Sequence, residues 1–223
     1  MLTLAGVSRR FGEREALQRL DLHVAPGERV ALTGSNGSGK STLLRLACGR
    51  DRPTTGSIRF DGLPMDEDDP RVRSRVAVVA EALSCYPDLT VRQHLELVAV
   101  AHAVPDPDSV IERCLDEHRL AAHADALPGS LSSGQTQAML LAAAWVRPRD
   151  LLVLDEPEQR LDATARDRLA ARLRAEGERG TAVLFATHHP ALAHSVADRV
   201  LVLEDGRVVS DGPPERTSAQ WQR

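Results

Sequence analysis

Lysine and asparagine are almost missing from this chain. Of its 28 basic side chains every one but Lys40 is arginine, and Asn36 is the sole asparagine. A guanine-reading Asn-Lys-x-Asp motif cannot be built from that stock, so a GTPase of that type is excluded. Aromatics make up only 3% of residues, and a core drawn from the 42% apolar content must therefore be mostly Leu, Val and Ala. The three cysteines, Cys48, Cys85 and Cys114, lack the spacing of a metal or redox motif and read as reduced, buried thiols, as in a cytosolic protein. No apolar run approaches the roughly 18 to 20 residues that span a bilayer; Ala138 to Val146 is about half that. Any membrane spans must come from other chains. Met1 to Val7 has no basic segment followed by an apolar one, which argues against secretion. With a net charge of −4 there is no polybasic signature, and no nucleic-acid partner is expected.

What the chain does have is Gly34-Ser35-Asn36-Gly37-Ser38-Gly39-Lys40-Ser41-Thr42, which fits the P-loop pattern G-x-x-x-x-G-K-[ST] at every fixed position. Its context is suitable: Arg29 to Thr33 reads as a short buried strand before it, and Ser41 to Cys48 as a helix after it. Glycines let the backbone turn its N–H groups inward, and the helix N-terminus adds about half a positive charge toward a bound phosphate. The lone lysine stands where a compact ammonium must reach the β- and γ-phosphates and the planar fork of arginine would not fit. The loop predicts a nucleoside triphosphate site.

Around the P-loop, 223 residues allow one large domain or a domain with a subdomain. Leu2 to Leu4 and Leu20 to Val24 read as antiparallel strands with Phe11 in the loop between them. Further strands are expected at Ser57 to Phe60 and Arg75 to Ala80. From there to about Pro148 the pattern is helical. Thr90 to Gln93 matches a capping box, Asp106-Pro107 can start a second helix, and a third follows Ser132-Ser133-Gly134 from Gln135 to Val146. Leu151 to Glu156 is an apolar strand ending in two acids, of the kind buried on both faces in a parallel sheet. Leu161 to Glu176 reads as a helix, Thr181 to Thr187 as a strand, Pro190 to Ala197 as a helix, and Leu201 to Val209 as a hairpin turning at Asp205-Gly206. The last dozen residues read as frayed.

Chemistry gathers at strand ends. Asp155 is placed to take Mg²⁺, directly or through water, together with the Ser41 hydroxyl. Glu156 beside it can orient a water toward the γ-phosphate and accept its proton. His188 can donate a hydrogen bond to the γ-phosphate or to that water, although His189 leaves the assignment open by one residue. Leu131-Ser132-Ser133-Gly134-Gln135 is a small-residue turn into a helix, a second anion cradle for which one triphosphate per chain leaves no ligand.

This ordered set of the P-loop, Leu131 to Gln135, Leu151 to Pro157, Leu161-Asp162 and Thr187-His188 resembles the ATP-binding cassette (ABC) family over essentially the whole chain. The resemblance implies an α/β P-loop NTPase fold, with a mixed central sheet, an N-terminal antiparallel β subdomain and an inserted helical subdomain. Residues 1–80 and 149–223 would form the nucleotide-binding core, and about 81–148 the helical part. It further implies that two cassettes pair head to tail, each ATP lying between one chain's P-loop and the other's Leu131 to Gln135. Phe11 would stack on adenine, and Leu161-Asp162 would couple the two sites. The implied function is an Mg²⁺-dependent ATPase subunit, closer to exporter types, acting at the inner membrane face on separate permease subunits; the alternative is a soluble or regulatory cassette with weak hydrolysis. Three positions depart from the family. Glu81 replaces a glutamine that touches Mg²⁺, a third carboxylate expected to slow hydrolysis or place it under partner control. Ser133 replaces a glycine, and Arg160 a small residue before Leu161-Asp162.

Overall fold

The computed structural model describes residues 1–80 and 85–217; Glu81, the third metal candidate, lies outside the described residues. Two sheets carry the fold. In the first, β1 (Leu2–Phe11), β2 (Arg14–Val24), β4 (Thr55–Phe60) and β5 (Leu63–Pro64) are ordered β2-β1-β4-β5 with antiparallel pairing. The second contains β3 (Arg29–Thr33), β6 (Val76–Val79), β7 (Leu151–Asp155), β8 (Ala182–Ala186), β9 (Arg199–Glu204) and β10 (Arg207–Gly212) in the order β10-β9-β3-β8-β7-β6. Its strands are parallel except β10, which folds back on β9 through Asp205 (φ 45°) and Gly206 (φ 77°), so the sheet is mixed.

The hairpin of β1 and β2 is longer than the sequence suggested. Phe11 is the last residue of β1, paired with Arg14 across a two-residue turn, and not a loop residue. Shifts in register between Leu4 and Val7, and again up to Arg10, interrupt the alternation that a sequence reading follows.

Helices fill the space between strands: α1 (Lys40–Ala47), α2 (Pro70–Arg73), α3 (Val91–Ala101), α4 (Pro107–Glu117), α5 (Ser133–Val146), α6 (Ala163–Glu178), α7 (Pro190–Val196) and α8 (Pro214–Thr217). Their starts follow local chemistry. Thr90 and Ser132 each form a capping box, with Gln93 and Gln135, so α5 begins two residues before the expected Gln135. Asp162 accepts the Ala165 N–H as the cap of α6, which excludes Leu161 from that helix. At the C-terminal end the expected fraying is overturned as far as residue 217, because α8 packs on β9 and β10 with Pro214 and Thr217 buried.

Because side chains alternate along a strand, the central sheet feeds two cores. Val30, Leu32, Leu151, Val153, Leu184 and Leu201 join α1 and the antiparallel sheet on one face. Ala31, Leu152, Leu154, Val183, Phe185 and Val202 meet α3 to α7 on the other. With both faces covered, these strands read as continuous apolar runs. Register then sets the site: Leu32 is level with Ala186, and Ala186 with Asp155, so the loops leaving β3, β8 and β7 emerge side by side at the carboxyl end of the parallel strands.

Candidate active site

The P-loop is pressed between β2 and the turn of β9 and β10. At Gly34 the backbone has φ 135°, and a Cβ there would lie 2.1 Å from the Leu203 carbonyl oxygen. At Gly39 φ is 108°, and a Cβ would lie 2.9 Å from the Ala16 carbonyl. The Gly206 N–H donates to the Ser38 carbonyl at 2.9 Å, bracing the loop from behind. These contacts, as much as phosphate access, require glycine at both positions.

Gly39 precedes α1 without a side-chain cap, and no acid occupies the first turn. The opening N–H groups of that helix are therefore available to an anion, whereas α3, α5 and α6 spend one of theirs on a capping side chain. Lys40 is 5% exposed, and its ammonium donates to the Gly34 and Ser35 carbonyls, each at 2.9 Å. Burial lowers its pKa, while the nearby Glu156 and Asp155 carboxylates act to raise it.

A cavity of about 400 Å³ opens at this point, lined by Asn36, Gly37, Gly39, Lys40, Ser41 and Thr42 from the P-loop side, Asp155, Glu156 and Gln159 from the loop after β7, and Arg14 and Ala16 from β2. Ser35 is exposed on the loop and Ser38 is buried, its hydroxyl without a partner among the described residues. Phe11 is not part of the lining: it is 47% exposed, with the Arg9 guanidinium 4.3 Å over its ring. Ser41 and Asp155 both line the cavity and bring hard oxygen donors to it, residue types that suit Mg²⁺ shared with phosphate oxygens and water.

His188 is not part of the lining either, but its Nε2 lies 2.6 Å from Glu156 Oε1, and the Gln159 amide donates to the other carboxylate oxygen. Glu156 itself has φ 47°, and its N–H donates to the Ala186 carbonyl at 3.0 Å, which tips the side chain out of the strand direction. The neighbouring His189 is otherwise engaged: its Nδ1 accepts the Leu192 N–H and caps α7. The two histidines thus part by geometry. Arg14 and Gln159 escaped the sequence reading, since neither belongs to a motif; Arg14 arrives from β2 by tertiary packing, whereas Gln159 reaches Glu156 locally, three residues on.

The second cradle lies elsewhere. Ser132, Gly134 and Gln135 line a separate cavity of about 450 Å³ with Arg160, Leu161 and Asp162, while Leu131 is half-buried just ahead of α5 and Ser133 opens the helix. In this chain the Ser132 hydroxyl and the Gln135 side chain satisfy each other's backbone N–H groups, and Gln135 also reaches His123 at 2.8 Å. Arg160 holds φ 63°, and its carbonyl would lie 3.1 Å from a Cβ on Gly134.

Residues 17–159 match the family model described as ABC transporter. This chain belongs to the ABC transporter family. Among curated proteins it is 37% identical over 213 residues to Nod factor export ATP-binding protein I of Burkholderia pseudomallei (strain K96243), covering 93% of this chain and 69% of that protein. It is 42% identical over 215 residues to the aliphatic sulfonates import ATP-binding protein SsuB of Mycobacterium sp. (strain MCS), covering 95% and 82%. Among solved structures, an ATP-binding subunit of an ABC transporter superposes with a TM-score of 0.89 at 29% identity, covering all of this chain (100%) and 93% of the other. The dimeric cassette MJ0796, in a post-hydrolysis state bound to ADP and Pi, gives 0.87 at 26% identity over 96% of this chain and 99% of that one. The chain is thus an ABC transporter ATP-binding subunit of an ATPase family with the P-loop NTPase fold. Among its described residues no helix is long and apolar enough to cross a membrane.

Proposed function

We propose that this cassette hydrolyses ATP as a dimer and uses the cycle to drive separate transmembrane permease subunits in export. The reading is carried by one juxtaposition: the Lys40 cavity shares its wall with a Glu156 carboxylate that His188 touches at 2.6 Å. Lys40 and the uncapped N–H groups of α1 bind the β- and γ-phosphates, the backbone of Gly34 to Gly39 wraps them, and Thr42 closes the wall. The Ser41 hydroxyl and Asp155 would hold Mg²⁺, which when bound would supply charge neutralisation at the phosphate oxygens. Glu156 takes the proton of the attacking water, and His188 holds the carboxylate and the γ-phosphate side of the site together.

Among the described residues the chain's own nucleotide cavity has no contribution from Leu131 to Gln135, of which Ser132, Gly134 and Gln135 line another. A second cassette supplies that turn, and ATP between the two chains closes the dimer; the dimeric form of MJ0796 supports this arrangement. Opening after hydrolysis would move the helical stretch, about residues 81–148, against the core of 1–80 and 149–223 and reset the permease. Phe11 would meet adenine by moving out from under Arg9. The cassette would sit on the inner membrane face through its permease. Export is proposed on the likeness to the Nod factor export proteins, and the importer SsuB marks the competing direction.

The test is Mg-ATPase activity of the purified chain with and without the permease with which it co-purifies, alongside sizing with and without ATP. Permease-stimulated hydrolysis and an ATP-dependent dimer are expected. A chain that binds ATP yet stays monomeric and never turns over would overturn the proposal, and ATP-dependent uptake rather than extrusion in proteoliposomes would overturn its direction.

A further inference from the structure

Below the contact of His188 with Glu156, the same two loops are joined a second time. Glu158, two residues after Glu156, is 8% exposed, and its carboxylate accepts the hydroxyl of Thr187, which is 1% exposed. Thr187 is held at its hydroxyl and its N–H: the hydroxyl also accepts the His189 N–H at 2.9 Å, and the N–H donates to the Leu32 carbonyl at 3.1 Å. His188 sits between these two anchored residues. On the far side of the loop the Gln137 amide of α5 donates to the Pro157 carbonyl at 3.2 Å.

Burying a carboxyl group is costly unless its bonds return the cost, and here the burial raises the Glu158 pKa, with the Thr187 hydroxyl opposing the shift and Glu156 adding to it. Its second oxygen is buried with no partner among the described residues. An apolar side chain would occupy that space without such a penalty. What the carboxyl provides that an apolar group cannot is the hold on Thr187. Glu158 does not line the nucleotide cavity, although Gln159 beside it does.

We infer that Glu158 is a positioning residue: its carboxyl group clamps the Thr187 hydroxyl and so keeps the His188 imidazole on Glu156. The inference rests on the reading of Glu156 and His188 as the pair that acts on water. With the clamp gone, the turn of residues 187–189 loses the hydroxyl–carboxyl tie that joins it to the loop after β7 beneath the His188 contact. A shift of about 1 Å in a positioned group is enough to cost a catalyst much of its rate.

Single-turnover and steady-state kinetics of Glu158→Ala, Glu158→Gln, Thr187→Val and the Glu158→Ala/Thr187→Val pair test it. Glu158→Ala and Thr187→Val should each lower kcat about tenfold with the KM for ATP unchanged. Glu158→Gln keeps a carbonyl oxygen for the Thr187 hydroxyl and should return kcat to within about twofold of the unsubstituted chain. The pair should be no slower than the slower single variant, because both remove one bond. An unchanged kcat in Glu158→Ala, a Gln variant as slow as the Ala variant, or two effects that multiply would each overturn the inference. Thr187→Val and Glu158→Gln are near-isosteric, so they decide the matter if the alanine variant does not fold. A second readout is independent of turnover: the hydrogen-bonded Nε2 proton of His188 in NMR spectra of the ¹⁵N-histidine chain should be lost in Thr187→Val. Its persistence there overturns the positioning role even in a chain that never hydrolyses ATP, while absence of hydrolysis by the unsubstituted chain overturns only the ATPase reading.

Discussion

Replacing Glu156 by Gln separates chemistry from binding. The amide has the same shape as the carboxylate and can still meet Gln159 and His188, but it is neutral and takes no proton from water. The backbone that aims it does not depend on the charge, since the Glu156 N–H is anchored on the Ala186 carbonyl at 3.0 Å and Pro157 follows. Removing a general base costs about 10²–10⁴ in rate, which at about 1.36 kcal/mol per tenfold is about 2.7–5.4 kcal/mol on the barrier. Binding should move the other way. Glu156 is an anion in the cavity that must take a triphosphate, so its neutralisation relieves repulsion, while the two hydrogen bonds from Lys40 to Gly34 and Ser35 are untouched. In single-turnover assays with enzyme in excess, hydrolysis should fall at least about 100-fold, and the ATP Kd should be equal or lower. Size-exclusion chromatography should show an accumulating ATP-bound dimer. Hydrolysis within about threefold of the unsubstituted rate would refute Glu156 as the base, and an equal loss of rate and of ATP affinity would make its role structural.

Other perturbations probe the frame. Gly34→Ala drives a methyl to 2.1 Å from the Leu203 carbonyl at φ 135°, so a loss of about 3 kcal/mol or more is expected in urea unfolding, together with loss of ATP binding. Arg149 and Glu176 form an ion pair at 2.6 Å with side chains 12% and 2% exposed, and Glu176→Ala, which leaves the arginine its bonds to the Trp145 and Arg147 carbonyls but no counter-charge on this pair, should cost about 3 kcal/mol by the same assay. Acid should weaken the fold through histidine. His118 is held well below its usual pKa by burial and then by Arg172, Arg149 and Arg168, and His102 is pushed down to about 4 by burial, Arg147 and Arg73. The unfolded chain then binds more protons than the folded one, so this contribution is whole above about pH 6.5 and declines as pH falls from there toward the folded values. The urea midpoint should therefore drop between pH 7 and pH 5, and drop less in His118→Phe; equal slopes would refute the assignment.

Much of the site was legible because its determinants are local. The P-loop spacing, the capping box at Thr90, Pro107 at the start of α4 and the Asp205-Gly206 turn are each specified within a few residues, by backbone sterics and side-chain hydrogen bonds that need no distant partner. The apolar runs of β3, β7 and β8 announced strands covered on both faces. Their neighbours were another matter. Sheet order and register are long-range choices, made by hydrogen bonds between segments far apart in the chain, and no local pattern records that Leu32, Ala186 and Asp155 come level. That alignment brings the loop carrying His188 against Glu156, while packing of the antiparallel sheet puts Arg14 in the cavity and leaves Phe11 outside its lining. By itself the sequence determined the nucleotide loop and the residue types able to act on it. Only the packed sheet decided which of them touch, because contact between loops follows from strand register, and register is settled only when the core closes on both faces.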